Sequence, residues 1–445
     1  MNYIPNTDSD RKIMLEACGF DSLQALFPDI PKDLKNKCGL SLPKELGEMD
    51  LSRELKALSR KNKDVSQKIC FLGAGAYNHF IPSVVKHIIS RSEFYTAYTP
   101  YQPEISQGIL QAIYEYQTMI CRLTGMNAAN ASMYDGATAM AEAALLCASY
   151  TKRKEILVSG TVNPLYRQVL STYAVGAELI LKEAAFKDGI THLESVKKSI
   201  SGNTACVIIQ QPNFFGCLEK VFDLAQTAHE NGALFAASVD PISLAVLNSP
   251  SEYGADVVVG EGQSLGNPLN FGGPYLGIFA SKKQFLRYMP GRLVGKTRDS
   301  NGKPGYVLTL QTREQHIRRG KATSNICTNE ALCALAACVY MTVMGGKGLR
   351  SVAQTCTKNA ASLKDKISKI KGFSIPFNAP CFKEFVIKTP RPAEEINKKL
   401  SGQGIIGGLD LEKFYPGLKN HMLLCATEMN SPGDIEKFAA ALRNV

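Results

Sequence analysis

The chain has 445 residues, 45% hydrophobic and 20% charged, the composition of a protein with a sizeable core and two or three domains. Its formal net charge is +11, with a sequence pI near 8.9, yet lysines and arginines do not gather with interleaved aromatics as in nucleic-acid modules, so the charge suits an acidic protein partner instead. No stretch approaches the roughly 20 apolar residues of a membrane span, and the polar start MNYIPNTDSDRK lacks a signal-peptide core, which together predict a cytoplasmic protein. Thirteen scattered cysteines without a CxxC pair read as free thiols, and six isolated histidines offer no metal spacing, so no metal is expected.

Residues 1–70 read as a helical arm and linker, with helix-period segments DSLQALF and SRELKALSRKNK divided by FPDIPKD and LSLPKE. FLGAGAYNHFIP follows; Gly73-Ala-Gly75 is a weak dinucleotide fingerprint because Asn78 stands at the third glycine position. In EFYTAYTPYQPEISQG, Tyr95, Tyr98, Tyr101 and Gln102 lie on an irregular loop, where functional side chains concentrate. Ile105, Ile109, Ile113, Tyr116, Ile120 and Leu123 then keep helical spacing until Gly125 supplies the stop.

From about residue 126 strands and helices alternate. MYDGATAMAEAALLCASY is a turn and a long helix; EILVSG, AELILK, ACVIIQQP, LFAASVD, DVVVG and LGIFAS are apolar strands with helices between several of them. This pattern predicts an α/β sheet covered on both faces, spanning a large domain of residues 71–345. Residues 346–445 change style, with helices at SLKDKISKI and EEINKKLSG and strands at FKEFVIKT and HMLLCATE, and read as a small C-terminal α/β domain. An arm, a large domain and a small one form the layout of fold-type-I pyridoxal-phosphate enzymes.

Such an enzyme needs a phosphate cradle, an acid for the pyridine nitrogen and a lysine for the aldehyde. Gly136 and Thr138, in Asp135-Gly-Ala-Thr138 at a helix start, suit a phosphate, though plain capping by Asp135 explains them equally. Asp240 ends the strand LFAASVD, where sheet enzymes place ligand-facing groups; a loop aspartate before Pro241 is the alternative. A surface helix is expected after it. The lysine is missing: Gln263 and Ser264 occupy its turn in GEGQSLGNPLNFGGP, and no lysine occurs from Pro241 to Ser281. Without the amine no Schiff base forms, so the chain alone is expected to be inactive and to bind the cofactor without a reducible lysine adduct.

YTAYTPYQPEISQG, YDGATAMAEA, QQPNFFGCLE, GEGQSLGNPLNFGGPYLG, PGRLVGKTRD and TREQHIRRGKATSNICTNEALCAL closely resemble glycine decarboxylase, the P-protein family of the glycine cleavage system, over nearly the whole chain. The likeness is to its N-terminal half, which in some bacteria is a separate subunit 1 (alpha). The resemblance implies a fold-type-I transferase-like large domain with a mostly parallel seven-stranded sheet. It implies a second subunit (beta) that holds pyridoxal phosphate covalently, and glycine decarboxylation with transfer of the aminomethyl group to the lipoyl arm of H protein. A functional link to the T and L proteins follows. On this reading Tyr95, Tyr98 and Gln102 are candidates for reaching the partner's site, with aromatic packing at the interface as the alternative, and Thr323 and Ser324 are candidates for the partner's cofactor phosphate. Asn163 stands where a histidine is expected and Gly320 where a glutamate is. Two rival readings are a self-sufficient enzyme using Lys296 or Lys321 as its Schiff-base residue, and a non-enzymatic scaffold that kept the fold.

Overall fold

The computed structural model describes residues 5–35, 39 and 41–444. Two units make up the chain, Met1–Lys63 and Asp64–Val445.

In the first unit, helix Asp8–Ala17 begins with a capping box: the Thr7 hydroxyl accepts from the Asp10 N–H at 3.2 Å while the Asp10 carboxylate takes the Thr7 N–H at 2.7 Å. Helix Glu48–Ser59 carries Leu51, Leu55 and Leu58 at helical spacing. None of the described helices here buries a residue, and these three leucines are 45–55% exposed.

The second unit is built on a seven-stranded sheet. Its strands are β1 (Ala128–Ala129), β2 (Glu155–Ser159), β3 (Ile180–Ala184), β4 (Thr204–Gln211), β5 (Leu234–Val239), β6 (Val257–Glu261) and β7 (Gly277–Ser281). They lie in the order β1-β7-β6-β5-β4-β2-β3, with β3 to β6 and β2 parallel and only β7 and β1 antiparallel to their neighbours. Strand residues alternate between two cores, as the pleat requires. Val207, Ile209 and Val258 face one core; Cys206, Ile208 and Val257 face the other. Burial on both faces explains why these strands read as continuous apolar runs.

One core receives α1 (Gln107–Thr124) through Tyr116 and Ile120; the other receives α2 (Gly136–Thr151) and α3 (Pro164–Ala177). Helix α1 buries Leu110, Ile113, Tyr116 and Ile120 along one face, and Gly125 ends it at φ 73°, a left-handed conformation that favours glycine. Helix α4 (Val221–Glu230) and the first half of α5 (Ala331–Ser368) complete the first core. By length and composition α5 is apolar enough to cross a membrane, with mean hydropathy 1.5 in its most apolar 18-residue window, which the sequence reading did not anticipate. Its apolarity has a use in the fold, because Ala334, Ala337, Tyr340 and Met341 are packed in the core. The helix breaks direction at Gly345, whose backbone is non-helical (φ 57°, ψ −179°).

Beyond that break, the second half of α5 joins α6 (Ala393–Gly402), α7 (Pro432–Arg443) and a three-stranded antiparallel sheet, β8 (Glu384–Lys388), β9 (Leu409–Asp410) and β10 (His421–Cys425). Their shared core also takes Phe71, whose ring lies 4.3 Å from that of Phe438, and Ile69–Cys70 pairs in parallel with Ile405–Ile406. Residues 69–71 thus add to the C-terminal layer. One feature differs from the sequence reading: the expected helix after Asp240 is only a 3-10 turn, Ser243–Ala245. PGRLVGKTRD, for which the sequence predicted no element, forms a strand, Leu293–Arg298, paired with Pro304–Thr309. The described cysteines are free, and Cys38 lies outside the described residues.

Candidate functional site

The sheet's topological switch lies between β2 and β4, since β2 is followed outward by β3 and the chain then returns to β4. Clefts at the carboxyl ends of strands beside such a switch are where open α/β sheets bind ligands. Here the cleft is lined by Asn163 after β2, Gln210 on β4, Asp240 after β5, Glu261 on β6, and Tyr77, Lys383 and Glu384 from the C-terminal layer and its lead-in. What remains open is a cavity of about 30 Å³, room for about two waters.

Its centre is Lys383. The side chain is 1% exposed, and its ammonium lies 2.5 Å from Asp240 Oδ2. It also donates to His79 Nε2 at 3.2 Å and sits 3.4 Å from the centre of the Tyr77 ring. Burial works most strongly against the lysine's charge, but the Asp240 carboxylate, joined by Cys425 and Cys356, outweighs it, and the net pKa shift is upward. With Nε2 accepting from Lys383, His79 donates Nδ1–H to Glu428 at 2.7 Å. Burial and then the Lys383 charge hold the His79 pKa down, which keeps the ring neutral for this relay. Asp240 keeps its other oxygen for the N–H groups of Ile242 and Ser243, at 2.9 and 3.3 Å.

The start of α2 is satisfied from within. Glu261 Oε2 accepts the Gly136 N–H at 2.9 Å, and its Oε1 accepts from Gln263 and Leu276 at 2.9 and 3.0 Å. A carboxylate therefore sits at a helix N-terminus, the position suited to a phosphate. Burial pushes Glu261 up to about 8, opposed by these three N–H groups. Asp135 caps the helix through the Thr138 N–H at 2.8 Å, and Thr138 Oγ1 returns the bond to the Asp135 backbone. A Cβ at Gly136 would crowd the Tyr166 hydroxyl at 2.7 Å and the Glu261 backbone nitrogen at 3.0 Å.

Gln263 is 2% exposed and holds the turn where a lysine was sought. Its Oε1 accepts the Tyr77 N–H at 2.8 Å, and its amide donates to the Tyr77 and Asn267 carbonyls at 3.0 and 2.7 Å. Ser264 is buried, with an unpartnered hydroxyl. Asn163 caps α3 through the Leu165 N–H at 3.0 Å and donates to the Ala74 carbonyl at 3.3 Å. Glu384 accepts from the Ala74 N–H and the Tyr77 hydroxyl at 2.6 and 2.7 Å, and burial raises it to about 7.

These residues do not fit pyridoxal phosphate. The acid for the pyridine nitrogen is neutralised by Lys383, the phosphate end is filled by Glu261, the amine is replaced by Gln263, and the open volume holds only water. Of Gly136, Thr138 and Asp240 only Asp240 lines the cleft; Gly136 touches it through Glu261, and Thr138 bonds Asp135 instead, so even the non-covalent binding of the cofactor expected from the sequence has no room here. Lys383 itself is unsuited as a Schiff-base residue, since a nucleophilic lysine needs a depressed pKa. Lys296 and Lys321 are exposed and line no part of the cleft. Among the described residues one trio has metal-ligand atoms within 4.8 Å, His79, Cys356 and Glu428; Glu428 already accepts from both of the others.

The remaining candidates lie elsewhere. Tyr95 and Tyr98 are 70% and 83% exposed and Gln102 is exposed as well. Thr323 and Ser324 are half-buried beside Arg313 and Gly291, around a void of about 10 Å³, and Ser324 Oγ accepts the Ile326 N–H at 3.1 Å. Gly320 is exposed with open space around it, so packing does not demand glycine there. The sequence reading missed Lys383, Glu384, Glu261 and His79. The available signal was two adjacent charges, Lys383-Glu384, at the head of the apolar strand FKEFVIKT.

Comparison with known proteins adds to this geometry. Residues 1–442 match the family described as glycine cleavage system P-protein. A probable glycine dehydrogenase (decarboxylating) subunit 1 of Desulforamulus reducens is 53% identical over 442 residues, covering 99% of each chain. Its counterpart in Moorella thermoacetica is 52% identical over 445 residues, covering 100% of each. A crystal structure of glycine decarboxylase (P-protein) of the glycine cleavage system, in inhibitor-bound form, superposes with TM-score 0.92 at 42% identity, over 100% of both chains. Burkholderia pseudomallei sphingosine-1-phosphate lyase (TM-score 0.67, 13% identity, 92% of each chain) and the Escherichia coli cysteine desulfurase CsdA (0.64, 11%, 87% of this chain and 97% of that one) share the fold. The architecture is that of fold-type-I pyridoxal-phosphate enzymes.

Proposed function

The chain belongs to the glycine cleavage system P-protein family, and on that premise we propose that it is subunit 1 (alpha) of glycine dehydrogenase (decarboxylating). With a second subunit that holds pyridoxal phosphate on its own lysine, it decarboxylates glycine and passes the aminomethyl group to the lipoyl arm of H protein. The cofactor supplies the electron sink for that chemistry when bound. This chain contributes structure and completes the partner's site.

The observation that carries the reading is the closed cleft: Lys383 on Asp240, Glu261 on α2 and Gln263 in the lysine turn leave this chain no cofactor site of its own. Its outward features suit pairing. Tyr95 ends a short helix, Ser92–Tyr95, rather than lying on the irregular loop the sequence suggested, and Tyr98 follows it on the loop; both are exposed, while Tyr101 behind them meets Arg292 at 3.2 Å and holds the loop's base. Thr323 and Ser324 are offered to the partner's phosphate. The leucine stripe of Glu48–Ser59 gives the arm an apolar face for an obligate-class interface, of order 2,000 Å² or more.

The test is co-expression with the second subunit and measurement of exchange between the glycine carboxyl group and bicarbonate. The pair is expected to exchange and this chain alone to be inactive, without a borohydride-reducible lysine adduct. A stoichiometric adduct on this chain, or equal exchange by the second subunit without it, overturns the proposal.

A further inference from the structure

A second cavity, of about 260 Å³, is far larger than the filled cleft and shares only its surrounding fold. Phe94, Tyr95, Tyr98, Ile109 and Leu335 give it aromatic and aliphatic walls. Two of its other lining residues carry buried polar atoms without a hydrogen-bond partner. Tyr116, on α1, is 1% exposed and its hydroxyl is unpartnered. Arg292 is 3% exposed; its guanidinium donates to Asn329 Oδ1 at 3.3 Å and to the Tyr101 hydroxyl at 3.2 Å, while Nε has no partner.

An arginine cannot shed its proton in a protein, so Arg292 carries its charge into the interior. Neither of its bonds is to a carboxylate, and a buried cation balanced only by neutral acceptors is costly. The Tyr116 hydroxyl lies toward Glu261, Cys333 and Cys338 rather than Arg292, so the guanidinium alone is the polar anchor of a mostly apolar wall, the composition of a small-molecule site. The missing partner of a guanidinium is an anion that accepts hydrogen bonds, and the planar fork matches a carboxylate.

We propose that this cavity binds a carboxylate, with Arg292 holding its oxygens and the aromatic walls covering a short carbon chain. The inference stands on this chain's residues and does not depend on the paired-subunit reading. Two sources supply the same chemistry: a free small acid, glycine included, or an acidic side chain of a second subunit.

The experiment is calorimetric titration of the full-length chain, alone and reconstituted, with acetate, propionate, butyrate and glycine; ethanol and methylammonium serve as uncharged and cationic controls. Carboxylates are expected to bind saturably and the controls not at all. Arg292→Met is expected to weaken binding by about tenfold or more. Binding that persists in the pair assigns the site to a free acid; binding that the second subunit abolishes assigns it to that subunit's side chain. Absence of saturable binding to the chain and to the pair, or undiminished affinity in Arg292→Met, overturns the proposal. Should Arg292→Met melt early, Arg292→Lys and Arg292→Gln decide it, because unchanged affinity in both is equally fatal.

Discussion

Removing the ammonium group of Lys383 is the sharpest perturbation of the filled cleft. Lys383→Met keeps most of the side-chain volume but leaves Asp240, 11% exposed, with no cation at Oδ2. The lysine's bond to His79 at 3.2 Å and its stacking on Tyr77 go as well. Stripping one partner from a buried ion pair costs about 3–5 kcal/mol, mostly the burden of the charge left behind. Asp240→Asn alone strands Lys383 and is expected to cost a similar amount. In the double variant the amide still accepts from Ile242 and Ser243 and faces a thioether, so much of the loss is recovered. The coupling energy from the four unfolding curves is therefore expected to be about 2–3 kcal/mol. Urea denaturation followed by circular dichroism provides the curves, with slopes compared among variants before any midpoint is converted. A Lys383→Met variant within about 1 kcal/mol of the wild type, or strictly additive single costs, refutes the assignment of Lys383 as the counter-ion that holds the cleft shut.

Glu384 is expected to make stability depend on pH. Its folded pKa of about 7 lies above the ordinary 4.5, so the folded protein gains relative stability from holding the proton at low pH and loses it as pH rises from about 4.5 to about 7. Glu384→Gln keeps an acceptor for the Ala74 N–H and turns its amide to the Tyr77 hydroxyl, which then accepts instead of donating, so its unfolding free energy in urea should match wild type near pH 4 and exceed it at pH 8 by up to roughly 3 kcal/mol; a gap that does not grow with pH counts against this. Gln263→Ala loses bonds to Tyr77 N–H, Tyr77 C=O and Asn267 C=O, and should cost about 2–4 kcal/mol in thermal unfolding, with a melting point near wild type as the contrary result. Tyr98→Phe should leave the isolated chain's unfolding unchanged, since the residue is 83% exposed, and in the reconstituted pair lower exchange about 5- to 150-fold, the equivalent of one hydrogen bond of about 1–3 kcal/mol. A silent Phe variant beside a dissociating Tyr98→Ala variant assigns the side chain to packing instead. Leu51→Asp with Leu55→Asp should spare this chain's unfolding and weaken association on size-exclusion chromatography; unchanged elution removes the arm from the interface.

The alternation of strands and helices was legible because each element carries its own signal. The Ile and Tyr spacing of α1 and the Gly125 stop place that helix within about three residues, since side-chain period and a left-handed cap are local properties. Asp240 was placed at the cleft for a similar reason, since the end of a parallel strand is a local mark, whereas Gly136 and Thr138 do not line it. What occupies that cleft was not legible. Lys383 arrives from more than a hundred residues downstream through the packing of β8, and nothing local to FKEFVIKT shows which way its lysine turns. The PGRLVGKTRD strand was missed because glycine and charge obscure an exposed hairpin whose order comes from its pairing with Pro304–Thr309. Arg292 was quoted within that motif, but its isolation from carboxylates is a fact of three dimensions.

The carboxylate of Glu261 at the head of α2 bears on how freely this sequence can drift. To regain a cofactor the chain must exchange Glu261, Lys383 and Gln263 for a phosphate, a pyridine nitrogen and an amine. Taken singly, none of those steps is tolerable: replacing Lys383 strands Asp240, replacing Gln263 frees the Tyr77 backbone, and clearing Glu261 empties three N–H groups at once. Each intermediate sequence would fold less well than the present one and gain no chemistry in return, because the ligand that rewards the change needs all three. The substitutions that closed the cleft therefore act as a ratchet, and the descendants of this chain are confined to the role of a partner by the stability of their own interior.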